Sequence, residues 1–191
     1  MNTIAHMIIA SAALARPASP RRNAAVLLGG FAPDASMFVF FGWSRLQGWS
    51  GDETWNVQYW TEPWQSLGAV SNSFVIWALI LALALWKKTP LLWVAAAAAL
   101  VHIAFDFPLH GDDAHRHFWP VTDWRFFSPV SYWDPEANGL LGGLIETVVT
   151  FAAIIVLWMR FKTRFWRIVF SALAFLQGLA FSAQIAWILS N

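Results

Sequence analysis

The chain has 191 residues, 58% of them hydrophobic and 12% charged, with a net charge of +1 and no cysteine. Soluble domains carry roughly 25% charged residues, so a soluble surface is excluded, disorder is excluded by the ample apolar content, and an integral membrane protein remains. Without cysteine there is no disulfide framework, no thiolate nucleophile and no thiolate ligand, which leaves His, Asp or Glu to hold any metal.

The first fifteen residues, MNTIAHMIIASAALA, are apolar but short. SAALA resembles a cleavage site, yet no Lys or Arg precedes the apolar run, and Arg16, Arg21 and Arg22 follow it. That order favours a retained helix over a signal peptide. Residues 23–44 form the next apolar window, with Asp34 as its one charge. Residues 69–86 and 168–189 carry no charge, 90–107 carry only Asp106, and 140–159 carry only Glu146. Each is near the roughly 20 residues that a helix needs to cross about 30 Å of hydrocarbon. The expected fold class is all-α: a polytopic membrane bundle of about six helices with an outer loop cap. It forms a single domain, 1–191, with outer loops at 45–68 and 109–138.

Charge placement orients these spans. Nine of the twelve basic residues lie in three short segments that contain no acid: Arg16, Arg21 and Arg22; Lys87 and Lys88; Arg160, Lys162, Arg164 and Arg167. The positive-inside rule makes those segments cytoplasmic and puts both termini outside. The many tryptophans near the loops suit an interfacial belt, and a few outer ones are candidates to line a substrate groove. The run Ala95 to Ala99 suits close helix packing through small side chains.

Ionisable residues inside spans are costly and mark functional sites by default. At 1.5 Å per residue, His6, Asp34, His102, Asp106 and Glu146 all fall within roughly 14 Å of the outer ends of their helices. Asn72 enters the same layer, as does Gln184 more weakly. A shared level suggests one cavity open to the outer face. His102 and Asp106 stand four apart, on one helix face. They suit joint metal ligation, orientation of the imidazole by the carboxylate, or a buried structural pair. His110, Asp112, Asp113, His115 and His117 crowd the loop that follows, as ligands or as solvated surface. This imidazole and carboxylate set suits zinc, manganese or iron(II). Asp34 after Pro33 also fits a kinked helix with a wet pocket, and Glu146 also fits a hydrogen bond to a neighbouring helix. Arg116 is placed to anchor an anion through its fork, or to pair with Asp112 or Asp113.

Three segments together resemble the YdjM-like family of bacterial inner-membrane proteins, described as metal-dependent hydrolases. They are TIAH at 3–6, GGFAPDAS at 29–36 and the block from HIAFDFPLH to HFWP at 102–120. The resemblance covers most of residues 1–138. It implies a membrane-embedded metal hydrolase with His6, Asp34, His102 and Asp106 around the metal. His110, Asp112, His115 or His117 would complete the shell, and Glu146 or Asp113 would act as general base. Zinc is the first expectation for the metal, and Arg116 would hold an anionic group. Family members carry an HRxxTHS-like stretch before the third span, where this chain reads WQSLGAVSNSF without histidine. The expected partners are membrane lipids and a lipid-like or envelope substrate, with no nucleic acid. The expected location is the bacterial inner membrane with the site on the periplasmic side. The competing readings are a metal-ion or proton transporter component and a non-enzymatic scaffold.

Overall fold

A computed structural model of the chain describes residues 1–190, and among these every regular element is helical. The helices are α1 (Thr3–Leu14), α2 (Pro20–Phe31), α3 (Ala35–Gln47), α4 (Glu62–Ser71), α5 (Phe74–Trp86), α6 (Pro90–Asp106), α7 (Gly139–Arg160) and α8 (Arg164–Ser190). Proline at the first turn starts α2, α4 and α6, where its missing N–H costs nothing. Ser73 caps α5, its Oγ accepting from Ile76 N at 3.1 Å. Gly48, at φ 72°, ends α3 in the left-handed conformation that glycine adopts without a Cβ penalty.

Four helical stretches are long and apolar enough to cross a membrane. One is Pro20–Gln47, which joins α2 to α3 through a 3-10 turn over Ala32–Asp34; the others are Pro90–Leu109, α7 and α8. The pair α4 and α5 makes a fifth if its 40° bend lies within one span. The expectation of about six spans is met only this far. The remaining helix, α1, has 12 residues and is about 18 Å long at 1.5 Å per residue, short of the hydrocarbon thickness.

Instead α1 is the axis of the bundle. It packs against α2, α6, α7 and α8, and Ala5, His6, Ile8, Ile9, Ala10 and Ser11 are all buried. A helix buried around most of its circumference carries no polar face, which explains its uniform apolarity. Ile8 and Ile9 join Leu157, Phe161 and Phe170 in the larger core cluster. On the other side Ala10 meets Val26, Val94 and Ala98. The α2–α6 crossing is tight at Gly29, where a Cβ would run into the Ala95 backbone. This approach brings residue 30 of α2 beside residue 102 of α6.

The loop 110–138 folds over one end of the bundle through turns. Its backbone is tied back by Ser128 N to His110 O (2.9 Å), Tyr132 N to Leu109 O (3.0 Å) and Phe74 N to His117 O (2.8 Å). Gln184 of α8 also donates to Tyr132 O. Ionisable residues from α1, the α2–α3 break and α6 meet under this cap.

Candidate metal centre

Pro33 has no N–H, so the helix cannot continue its hydrogen-bond ladder there. The 3-10 turn that results ends on Asp34. One turn earlier, the Gly30 carbonyl accepts from His102 Nδ1 at 2.7 Å. That bond puts the ring proton on Nδ1 and leaves Nε2 as the free coordinating nitrogen. His102 Nε2 lies 3.5 Å from Asp34 Oδ1 and 3.8 Å from Asp106 Oδ2, and it has no hydrogen-bond partner. The other Asp34 oxygen accepts from Thr3 Oγ1 at 2.6 Å.

Asp106 is the hub of the cluster. Its Oδ1 lies 3.1 Å from His6 Nε2 and 3.0 Å from His110 Nε2, and it accepts from the Met1 amine at 2.6 Å. The His6 and His102 rings stack, with centroids 3.5 Å apart and planes 13° from parallel. His6, His102 and Asp106 are at most 1% exposed, so nothing here is solvated in the ordinary sense. Their ligand atoms all lie within 4.8 Å of one another.

This donor set fits a divalent ion. Asp34 and Asp106 face His102 Nε2 under a cap, and although the Met1 amine and His110 already lie against Asp106 Oδ1, oxygen and nitrogen lone pairs remain there that a bound ion would take up. Ligands at about 2.0–2.2 Å from a tetrahedral ion stand roughly 3.3–3.6 Å apart. The separations of 3.1, 3.5 and 3.8 Å around His6, His102, Asp34 and Asp106 bracket that spacing. The unpartnered Nε2 of buried His102 marks ligating capacity that hydrogen bonding leaves unused, whereas the unpartnered nitrogen of His6 is Nδ1, the one that does not face Asp106.

The loop residues sort into layers around this centre. His110 bridges inward to Asp106 and outward to Asp113, whose Oδ2 lies 2.8 Å from His110 Nδ1 and accepts from Trp133 Nε1 at 3.0 Å. Burial alone would lower the His110 pKa, but the carboxylates of Asp106 and Asp113 outweigh it and raise it to about 10. Burial opposes ionisation of Asp113 too, and the His110 charge overcomes it, holding the carboxyl below its ordinary value. His115 lies beside His110, with ring centroids 5.5 Å apart. Burial, then the His110 charge, lowers its pKa to about 4, so its imidazole is neutral. His117 turns away to donate from Nδ1 to Asn72 O at 2.9 Å, with its ring 5.4 Å from Phe107. Asp112 is exposed and lines an outer groove rather than the centre.

Glu146 and Arg116 stand apart from the metal-type cluster. Glu146 Oε1 accepts from Asn2 Nδ2 and Gln177 Nε2, both at 2.7 Å, and Asn2 Nδ2 also reaches Gln184 Oε1 at 3.0 Å. This forms a second, neighbouring polar cluster that joins α1, α7 and α8. Arg116 is gripped by Glu62 (3.0 Å) and Asp123 (3.2 Å), rather than by Asp112 or Asp113.

A chamber of about 60 Å³ adjoins the centre, lined in part by Asp34, His110, Asp113, His115, Tyr59 and Tyr132. Tyr59 and Tyr132 are the chain's two tyrosines. Burial, then Asp113, raises both phenol pKa values, so the hydroxyls keep their protons. Sequence reasoning passed over them, although their scarcity was a visible signal. Thr3 entered only as part of the TIAH stretch, with no role of its own, although it stands three residues before His6 and so on the same helix face. The Gly30 carbonyl carries no side-chain signal at all. Set against protein-family models, curated proteins and solved structures, the chain has no match.

Proposed function

We propose that the protein is an integral membrane, metal-dependent hydrolase of the bacterial inner membrane, acting on a lipid-like or envelope phosphoester at the periplasmic side. The observation that carries this reading is His102 Nε2, buried, without a hydrogen bond, and held between Asp34 and Asp106 with His6 alongside. The orientation rests on the nine basic residues confined to three acid-free segments, which the positive-inside rule assigns to the cytoplasm. In that orientation the loop 110–138 and the chamber beneath it face outward.

His6, His102, Asp34 and Asp106 would hold the ion, with His110 beside them as the proton-bearing bridge between Asp106 and Asp113. Zinc suits two or three imidazoles with carboxylates, and manganese or iron(II) suits the same donors. When bound, such an ion supplies Lewis acidity, lowering the pKa of water from about 15.7 toward about 7. The chain's own residues do the rest. Gly30 O fixes the His102 tautomer, and Thr3 holds Asp34 from behind. Asp113 orients His110 and, with Asp34, is one of two carboxylates lining the chamber that could take up a proton there. The protonated phenols of Tyr59 and Tyr132 are positioned to donate to an anionic group that enters there. The chamber admits water and a scissile group, while the bulk of a substrate would remain outside.

Metal analysis of detergent-purified protein tests this. About one equivalent of divalent metal is expected per chain, falling to background in the H102A/D106A variant while that variant still elutes as a folded monodisperse species. The loaded protein is then expected to cleave a lipid phosphoester that the variant leaves intact. Equal, substoichiometric metal in both proteins would overturn the reading.

A further inference from the structure

Outside the polar chamber lies a larger groove of about 650 Å³. It shares Met37, Tyr59, Asp113 and Tyr132 with the chamber, so the two adjoin. Its walls carry Trp55, Trp60, Trp133 and Trp187, its carboxylates include Asp52 and Asp112, and among the described residues no Lys or Arg lines it. Trp55, Trp60 and Trp187 are 39%, 40% and 50% exposed.

These rings are braced from behind. Trp55 lies parallel to Phe41 at 6.2 Å and edge-on to Phe40 at 5.6 Å. Trp60 stands edge-on to Tyr59 at 5.2 Å, and Trp133 is tied to Asp113 through its N–H. Braced indole faces with acids at the rim and no competing cation fit a positively charged ligand. The ring quadrupole attracts an ammonium within about 6 Å of the centroid, and the Asp52 and Asp112 charges add to the attraction. An anionic or purely apolar ligand would leave those carboxylates uncompensated.

The position of the groove selects the source of that cation. Met37 belongs to α3 and Trp187 to α8, helices whose flanking Phe38, Phe41 and Leu189 are exposed apolar side chains. The mouth therefore lies where exposed apolar helix surface gives way to the loop residues Asp52, Trp60 and Asp112, the boundary at which a lipid headgroup meets its acyl chains.

We propose that the tryptophan groove binds the ammonium end of a phospholipid headgroup, a phosphoethanolamine or phosphocholine moiety. The groove uses none of the His6, Asp34, His102 and Asp106 set, so this binding stands or falls separately from the hydrolytic reading. If both hold, the ammonium phospholipid is the substrate class.

The test is native mass spectrometry of the full chain, equilibrated in detergent with an equimolar mixture of phosphatidylethanolamine, phosphatidylcholine and phosphatidylglycerol of one chain length. The expected result is an enrichment of the two ammonium lipids over phosphatidylglycerol of roughly three- to ten-fold, the scale of one or two cation–π contacts. Enrichment falls to parity in W55L/W60L. It also falls in D52N/D112N, two exposed positions where asparagine preserves shape. Metal content measured on the same samples stays at the wild-type level in both variants, which separates loss of the groove from loss of the metal centre. Parity or a phosphatidylglycerol preference in the wild type overturns the proposal, as does an enrichment that survives both double variants. Displacement of bound lipid by free choline at equal concentration overturns the assignment to a lipid source.

Discussion

His102 illustrates how little of a buried residue's role lies in its identity. Its Nδ1 is committed to a backbone carbonyl 72 positions away in sequence, and that single bond decides which nitrogen is left to coordinate. Thr3 plays the corresponding part for Asp34, donating to the oxygen that does not face His102. Partners of this kind typically contribute 10–100-fold in metal affinity. Thr3→Val preserves shape and removes the donor. The expected outcome is metal binding weakened by about 10–100-fold with the ligand residues untouched, read by competition against a chromophoric chelator. Unaltered affinity would remove Thr3 from the site. The histidines of the loop divide by the same logic. His110 faces Asp106 and Asp113, whereas His117 spends its Nδ1 proton on Asn72 O. Seven residues apart and identical in type, they differ through what the fold sets opposite each ring.

Among the elements, α1 and the α2–α6 crossing do most to build the site. Helix α1 is too short to span yet lies at the centre, bringing His6 between α6 and the Asp34 turn. The crossing depends on Gly29, because any side chain there meets the Ala95 backbone, which cannot swing aside. Gly29→Val is expected to destabilise the protein by about 1–3 kcal/mol through overpacking, seen as a lower thermal midpoint in detergent. It is also expected to reduce metal occupancy, because Gly30 O moves away from His102. A stable variant with full metal would show that the helices tolerate wider separation. The 3-10 turn at Ala32–Asp34 was foreshadowed by Pro33, since a proline inside an apolar run must disturb the ladder. The bend between α4 and α5 was harder to foresee. It needs Ser73 as a cap for the second helix, a local contact, and Asn72 as a donor to Pro33 O at 3.2 Å, a partner 39 positions away in sequence.

For the whole molecule, the decisive open quantity is topology, and the cysteine-free chain makes it directly measurable. Single cysteines at Lys88 and Lys162 are expected to resist a membrane-impermeant maleimide in intact cells, while cysteines at Asp123 and Asp52 react. The reverse pattern would turn the site toward the cytoplasm and remove the periplasmic reading. The sequence alone pointed to membrane-type helices, because 12% charge is about half of what soluble domains carry, and the four long apolar helices fit that reading. The sequence also determined which ionisable residues had to be explained, since charges are rare in apolar segments and helical rise converts position into depth. Depth is one coordinate of three. It grouped His6, Asp34, His102, Asp106 and Glu146, but it could not tell which of them turn toward one another. Only the tertiary structure decided that Glu146 pairs with Asn2 and Gln177 while the other four meet. The physical reason is that rotation about each helix axis is set by long-range packing, here the close approach of α2 to α6 around a central α1. Local periodicity in these nearly uniform apolar helices leaves that rotation undetermined.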